Sequence, residues 1–244
     1  MTDRHPTPAA SPDPRRKAVL LDLDDTILDF RRAEDFALRR TLLETGITPD
    51  DGMVSLYSAI NDAQWKKLEK GLASRDEILT DRFRRFLEAV GQDRPAAEIR
   101  GHYERNLSET DFLLPGAKAL LNVLSARYRL FILSHGTSRV QHGRIARTGI
   151  ARFFEAIFLS EEIGCPKPDP RFFDRCFAAV PDLSRADAVL VGDSLTSDIQ
   201  GGKNAGLPTV WYNPHGKTAD GVRPDRTVTD LSEIPDAVRE LLFP

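Results

Sequence analysis

The chain has 244 residues, enough to bury a substantial core in one large domain or two smaller ones. Hydrophobic residues make up 41% and charged residues 29%, the balance of a globular protein, and 34 basic against 37 acidic side chains leave a net charge of −3. That near balance argues against an electrostatic surface for a nucleic-acid polymer or a membrane, and no stretch approaches the roughly 18 apolar residues of a membrane span.

The start of the chain lacks the apolar run of a signal peptide. Cys165 and Cys176 are too few for a disulfide framework and fit no zinc spacing, so two reduced thiols and a cytoplasmic setting are expected. Residues 1–14 carry Pro6, Pro8, Pro12 and Pro14 among Ser, Thr, Asp and Ala, and read as a flexible N-terminal tail.

The first strong element is the apolar run Ala18-Val19-Leu20-Leu21, which meets Asp22-Leu23-Asp24-Asp25-Thr26. Short runs of this kind suit strands buried on both faces of a parallel sheet. The pattern recurs where Leu130-Phe131-Ile132-Leu133 meets Ser134-His135-Gly136, and where Ala188-Val189-Leu190-Val191 meets Gly192-Asp193-Ser194. A later strand is expected at Thr209-Val210-Trp211-Tyr212, with helices near 116–126, 138–148, 170–179 and 196–204. This alternation predicts an α/β fold with a doubly wound, mainly parallel sheet.

Residues between the first two strands read differently. Leu79, Phe83, Phe86, Leu87 and Val90 recur at helical spacing, with Asp81, Arg82, Arg84, Arg85 and Glu88 on the other face. Comparable helices are expected around 32–45, 52–69 and 95–108. An inserted all-helical cap over 30–111 therefore interrupts a core formed by 15–29 and 112–244, with hinges near 28–32 and 110–115.

Ligands of open α/β sheets gather at the carboxyl ends of the strands. Asp22, Asp24, Ser134 and Asp193 all fall at such ends, so residues far apart in sequence are expected to converge. Several carboxylates at one place repel one another and call for a cation, and hard oxygen ligands favour Mg2+. A magnesium site with a hydroxyl and a lysine, here Lys167 in Cys165-Pro166-Lys167-Pro168-Asp169-Pro170, suits a phosphoryl group. An aspartate can attack phosphorus and divide one hard step into two easier ones.

Asp22-x-Asp24-x-Thr26, Ser134, Lys167 and Gly192-Asp193-x-x-x-x-Asp198 resemble, in order, the four motifs of the haloacid dehalogenase-like hydrolase superfamily. The resemblance covers residues 17 to about 214 and includes a small helical cap after the first motif. It implies that Asp22 is the nucleophile and a metal ligand. Asp24 would be the general acid and then base, its backbone carbonyl also binding the metal. Ser134, His135 and Lys167 would bind phosphate, Asp193 would be the remaining side-chain metal ligand, and Asp198 would support the metal from behind. Where many relatives have asparagine this chain has His135, read as giving a backbone N–H; a titrating imidazole would instead alter pH dependence or touch the substrate.

A finer resemblance is to the 5′-nucleotidase-like branch, through Leu21 to Phe30, Trp65, Gly71, Arg82-Phe83, Gln141 and Arg144. It implies a phosphatase acting on nucleoside 5′-monophosphates, with a sugar phosphate of the acylneuraminate 9-phosphate type as the runner-up. A phosphomutase and a 2-haloacid dehalogenase are the remoter alternatives. The expected partner is a small-molecule phosphomonoester, for a monomer or homodimer. Trp65 could stack on a base, though a lone tryptophan on an amphipathic helix is more often core. Arg75 and Arg82 could reach the substrate, though charged helix residues usually form a solvated face. Asp25 reads as a turn residue.

Overall fold

The computed structural model describes residues 17–219 and 221–243, so the expected tail over 1–14 lies outside the described residues. Strand β1 (Ala18–Leu21) opens the fold. Four helices follow before any further strand: α1 (Phe30–Glu44), α2 (Asp51–Glu69), α3 (Arg75–Ala89) and α4 (Ala96–Ser108). Then come α5 (Ala117–Ser125), β2 (Arg129–Ser134), α6 (Ser138–Thr148), β3 (Ala156–Leu159), α7 (Ser160–Ile163), α8 (Pro170–Ala178) and β4 (Ala188–Gly192). The chain closes with a π-helical turn (Leu195–Ile199), α9 (Gln200–Asn204), β5 (Thr209–Tyr212), β6 (Arg226–Val228) and α10 (Ile234–Leu242).

The six strands form one parallel sheet in the order β3-β2-β1-β4-β5-β6. In register, Ala18 pairs with Arg129 on one side and Ala188 on the other. Side chains alternate across a strand, and the sheet uses both faces. Val19, Leu21, Ile132, Val189 and Val191 belong to one buried cluster with residues of α5 and α10. Leu20, Phe131, Leu133 and Leu190 belong to another with Phe172, Phe173 and Phe177 of α8. Each such side chain contributes about 1.5–3 kcal/mol on burial. The chain winds outward from β1 through β2 to β3, then returns to β4 and winds the other way. The crevice at that reversal, between the ends of β1 and β4, is where ligands bind in sheets of this kind.

Helices α1 to α4 carry a cluster of their own, Leu38, Tyr57, Phe83, Phe86 and Tyr103 among its members, joined by Val140 of α6. Tyr57 stacks on Phe83 with centroids 5.2 Å apart and meets Phe86 edge-on at 5.6 Å, geometries aromatic quadrupoles favour. The ends are capped locally: Asp29 accepts Arg32 N at 3.0 Å, Asp50 accepts Met53 N at 2.7 Å, and Ser74 with Glu77 forms a capping box. The two crossings run side by side, Asp29 N donating to Phe112 O at 3.1 Å and Leu114 N to Ile27 O at 3.0 Å. No helix among the described residues is long and apolar enough to cross a membrane.

Among the described residues, strands β3 and β6 and α-helices α7 and α10 went unread in the sequence. β3 is a four-residue run whose first half is only partly buried, and β6 has three residues of which two are exposed, so neither shows the buried pattern of β1. The helix expected over 196–204 is a π turn followed by five α-helical residues.

Candidate active site

The first ligand-facing side chain begins where a ladder hydrogen bond ends. Asp22 N donates to Val191 O at 2.9 Å, which ties the residue after β1 to β4 and fixes the start of its side chain. Its Oδ2 accepts Thr26 Oγ1 at 3.4 Å, and its Oδ1 accepts Lys167 Nζ at 2.7 Å. The Lys167 ammonium also donates to Asp198 Oδ1 at 2.6 Å and Leu133 O at 2.7 Å, so its three protons are all placed. Lys167 is 1% exposed. Burial works against its charge, but Asp198 and Asp22 outweigh it and hold the ammonium above its ordinary range.

Asp198 reaches this point from the π turn, and its Oδ2 accepts Ser194 N at 3.1 Å. Gly192 is what lets it approach: a Cβ there would lie 2.3 Å from the Asp198 carboxylate. Carboxylate oxygens of Asp22, Asp193 and Asp198 all lie within 4.8 Å of one another. Burial first, then the Asp198 charge, pushes the Asp22 carboxyl up to about 8 against the pull of Lys167. Asp193 is raised well above its usual range by burial, then by Asp22 and Asp198. Three carboxylates with one ammonium between them are short of positive charge. The set is hard oxygen donors, and it fits a divalent cation such as magnesium.

Asp24 points elsewhere. One carboxylate oxygen accepts Gln141 Nε2 at 2.6 Å and the other pairs with the Arg144 guanidinium. Gln141 Nε2 also donates to Ser134 Oγ at 2.8 Å, so one amide ties Asp24 to the end of β2. Gly136 admits that amide, since a Cβ there would lie 2.3 Å from Gln141. The Asp24 carbonyl receives no hydrogen bond among the described residues and is free to face a cation. Asp25 is the turn residue: at φ 55° it is left-handed, and its Oδ1 accepts Phe30 N at 3.0 Å.

These groups open on a cavity of about 220 Å³ shared between the sheet end and the helical insertion. Asp22, Asp24, Ser134, His135, Asp193 and Asp198 line its floor, and Asn61, Trp65, Leu79, Arg82 and Leu107 line its roof. The structure thus brings together every motif residue. Of the three insertion residues singled out in sequence, Trp65 and Arg82 line the cavity. Arg75 does not; it bonds to Ser160 Oγ, with its guanidinium 5.6 Å from the Trp65 ring. Arg82 is not on a solvated face either: it is buried beside Asn61. The His135 ring lies nearly parallel to Trp65, centroids 6.4 Å apart, with Nε2 buried and unpartnered among the described residues. Burial, then Lys167 and Arg75, holds its imidazole well below its usual range, so it stays neutral at physiological pH.

The model of the haloacid dehalogenase-like hydrolases matches residues 16–206, most of the chain. The chain belongs to this family. Pyrimidine 5′-nucleotidase PynA of Streptococcus pneumoniae is 38% identical over 200 residues, covering 82% of this hydrolase and 84% of its own length. Pyrimidine 5′-nucleotidase YjjG of Escherichia coli is 30% identical over 218 residues, covering 88% and 95%. The magnesium-bound crystal structure of the hydrolase YfnB from Bacillus subtilis superposes with a TM-score of 0.86 at 36% identity, covering 92% of this hydrolase and 99% of that chain.

The sequence named Gln141 and Arg144 without a task, and missed Asn61, which lines the cavity. Gln141 and Arg144 are one helical turn apart on α6, which starts just past Ser134, and that spacing was the available signal. Nothing local marks Asn61, whose neighbours come from α1 and α3.

Proposed function

We propose that this hydrolase removes the phosphoryl group of a small phosphomonoester, a nucleoside 5′-monophosphate, through an aspartyl-phosphate on Asp22 and with magnesium as its cofactor. The observation that carries the reading is the buried Lys167 ammonium spanning Asp22 and Asp198, two carboxylates that line the same cavity as Asp193, Ser134 and Asp24. The nucleotide part draws on the likeness to PynA and YjjG.

In this reading Ser134 Oγ and the backbone N–H after it hold the phosphoryl oxygens, and Lys167 joins them by exchanging one of its present acceptors for the phosphoryl group. An Asp22 oxygen attacks phosphorus while the bond from phosphorus to the ester oxygen breaks. Asp24 donates its proton to that leaving oxygen, and the nucleoside departs. Asp24 then takes a proton from a water whose oxygen attacks the same phosphorus, the bond to Asp22 breaks, and inorganic phosphate leaves. Asp22, Asp193 and the Asp24 carbonyl would hold magnesium, with Asp198 supporting; when bound it supplies the positive charge that offsets phosphoryl and carboxylate oxygens. Residues 15–29 and 112–244 would form the catalytic domain and 30–111 the cap over it. Two buried free cysteines suit a reducing cytoplasm.

The test is phosphate release from a panel of phosphomonoesters, with and without magnesium. Asp22→Asn should abolish turnover, and full activity in that variant would remove the nucleophile. Sugar phosphates turned over as well as nucleotides would move the substrate to the sugar-phosphate class.

A further inference from the structure

Arg75 does not line the cavity, yet it reaches the loop that follows β2. It opens α3 directly after Ser74, whose capping box with Glu77 fixes the start of the helix. From there its guanidinium donates to Ser160 Oγ at the head of α7, and Ser160 Oγ donates in turn to His135 O at 3.2 Å. A hydroxyl has one proton and two lone pairs, and a guanidinium can only donate. The direction of the relay is therefore fixed, from the helical insertion through Ser160 to the main chain. Ser160 is 3% exposed, so the relay runs out of reach of bulk water.

The peptide unit at the end of the relay carries the consequence into the site. His135 O and Gly136 N belong to one plane, and a peptide plane turns as a whole. With its oxygen held by Ser160, its N–H donates to Ser134 Oγ at 3.3 Å. Gln141 Nε2 donates to the same oxygen at 2.8 Å. Both lone pairs of Ser134 Oγ are then taken, and its own proton has no acceptor among the described residues. Ser134 and Gly136 line the cavity, so that proton is left for a ligand oxygen there. Stability gains little from Arg75 in this place. Burial first, opposed by Glu161 and Asp76, loosens its hold on its proton, and its Nη1 is buried and unpartnered among the described residues. A charge kept on those terms is a poor stabiliser.

We propose that Arg75 is a positioning residue for phosphoryl binding: acting through Ser160, it holds the His135–Gly136 peptide so that the Ser134 hydroxyl presents its proton to a phosphoryl oxygen. This rests on the phosphatase reading above. The helical insertion thereby helps to build the phosphate site from a residue that touches no substrate. Every phosphomonoester presents the same oxygens, so the contribution is the same whatever alcohol the phosphate carries.

The test measures turnover of p-nitrophenyl phosphate, uridine 5′-monophosphate and ribose 5-phosphate with magnesium present, and inhibition by inorganic phosphate. The native enzyme is compared with Arg75→Met, Ser160→Ala and the double variant. Each single variant should raise KM for all three esters, and the inhibition constant of phosphate, by about tenfold with kcat nearly unchanged, because the phosphoryl oxygens are held alike in ground and transition states. The double variant should lose no more than either single one, since one relay is cut twice. Ser160→Ala leaves the contact of Arg75 with Trp65 in place, so an equal rise there assigns the effect to the relay; it also serves alone if Arg75→Met does not fold. A rise confined to one ester would make Arg75 a substrate contact and overturn the proposal. Native constants in folded variants, or losses that add in the double variant, would overturn it too. In each of those cases the native enzyme still releases phosphate and the phosphatase reading stands. No release from any ester by the native protein removes both.

Discussion

Arg144 and Asp24 form an ion pair across 120 residues of sequence, with the guanidinium buried at the floor of the cavity. The same carboxylate takes Gln141 Nε2, which also bonds Ser134. The proposed proton-transfer group is therefore aimed by two residues of α6 rather than by its own strand. Arg144→Gln should lower kcat by about 10- to 100-fold with little change in KM, because aim and not substrate affinity is lost. Steady-state kinetics decide this, and a rise in KM at constant kcat would refute it.

Chelation should remove activity without unfolding the protein. The clusters on both faces of the sheet are independent of the acidic site. Added magnesium should restore turnover and also raise the thermal midpoint, since a ligand at 100 times its Kd stabilises by about 2.7 kcal/mol. Activity that survives EDTA, or a midpoint blind to magnesium, would count against a metal at Asp22 and Asp193.

Gly192→Ala should injure stability and activity together. The added methyl would lie 2.3 Å from the Asp198 carboxylate, which must move and release Lys167 or Ser194 N. Overpacking of this kind costs about 1–3 kcal/mol. A urea titration measures it, and a native midpoint with native turnover would show that Asp198 has room to shift.

Glu34 makes stability depend on pH with a definite sign. Its carboxyl stands at about 7 in the folded protein against 4.5 ordinarily, raised by burial first, with Ser58 and Asn61 opposing. Between those values the folded state keeps a proton that the unfolded chain has released. Its contribution is thus full below about pH 4.5, falls as pH rises toward 7, and is gone above. Glu34→Gln should flatten that part of the curve, by up to about 3 kcal/mol between pH 4.5 and 8. Parallel curves for native and variant protein would exclude the effect.

Much of the fold was legible because its signals are local. Short apolar runs that stop at an acid or a hydroxyl suit buried strands with polar ends, and Leu21-Asp22, Leu133-Ser134 and Val191-Gly192-Asp193 each follow that pattern. The periodicity of Leu79, Phe83 and Phe86 likewise marks α3 from one stretch of chain. β3 and β6 escaped because four and three residues, partly exposed, carry too little pattern.

What the sequence by itself determined about this protein is the set of chemical groups at strand ends and their order. The sheet then had to gather them, since parallel strands put their carboxyl ends on one edge. Only the tertiary structure decided which group each would face. Asp24 turns to Arg144 and Gln141, Arg82 is buried on Asn61, and His135 lies along Trp65. Those choices depend on side chains brought together from separate helices, where distance and burial, not spacing along the chain, set the energies.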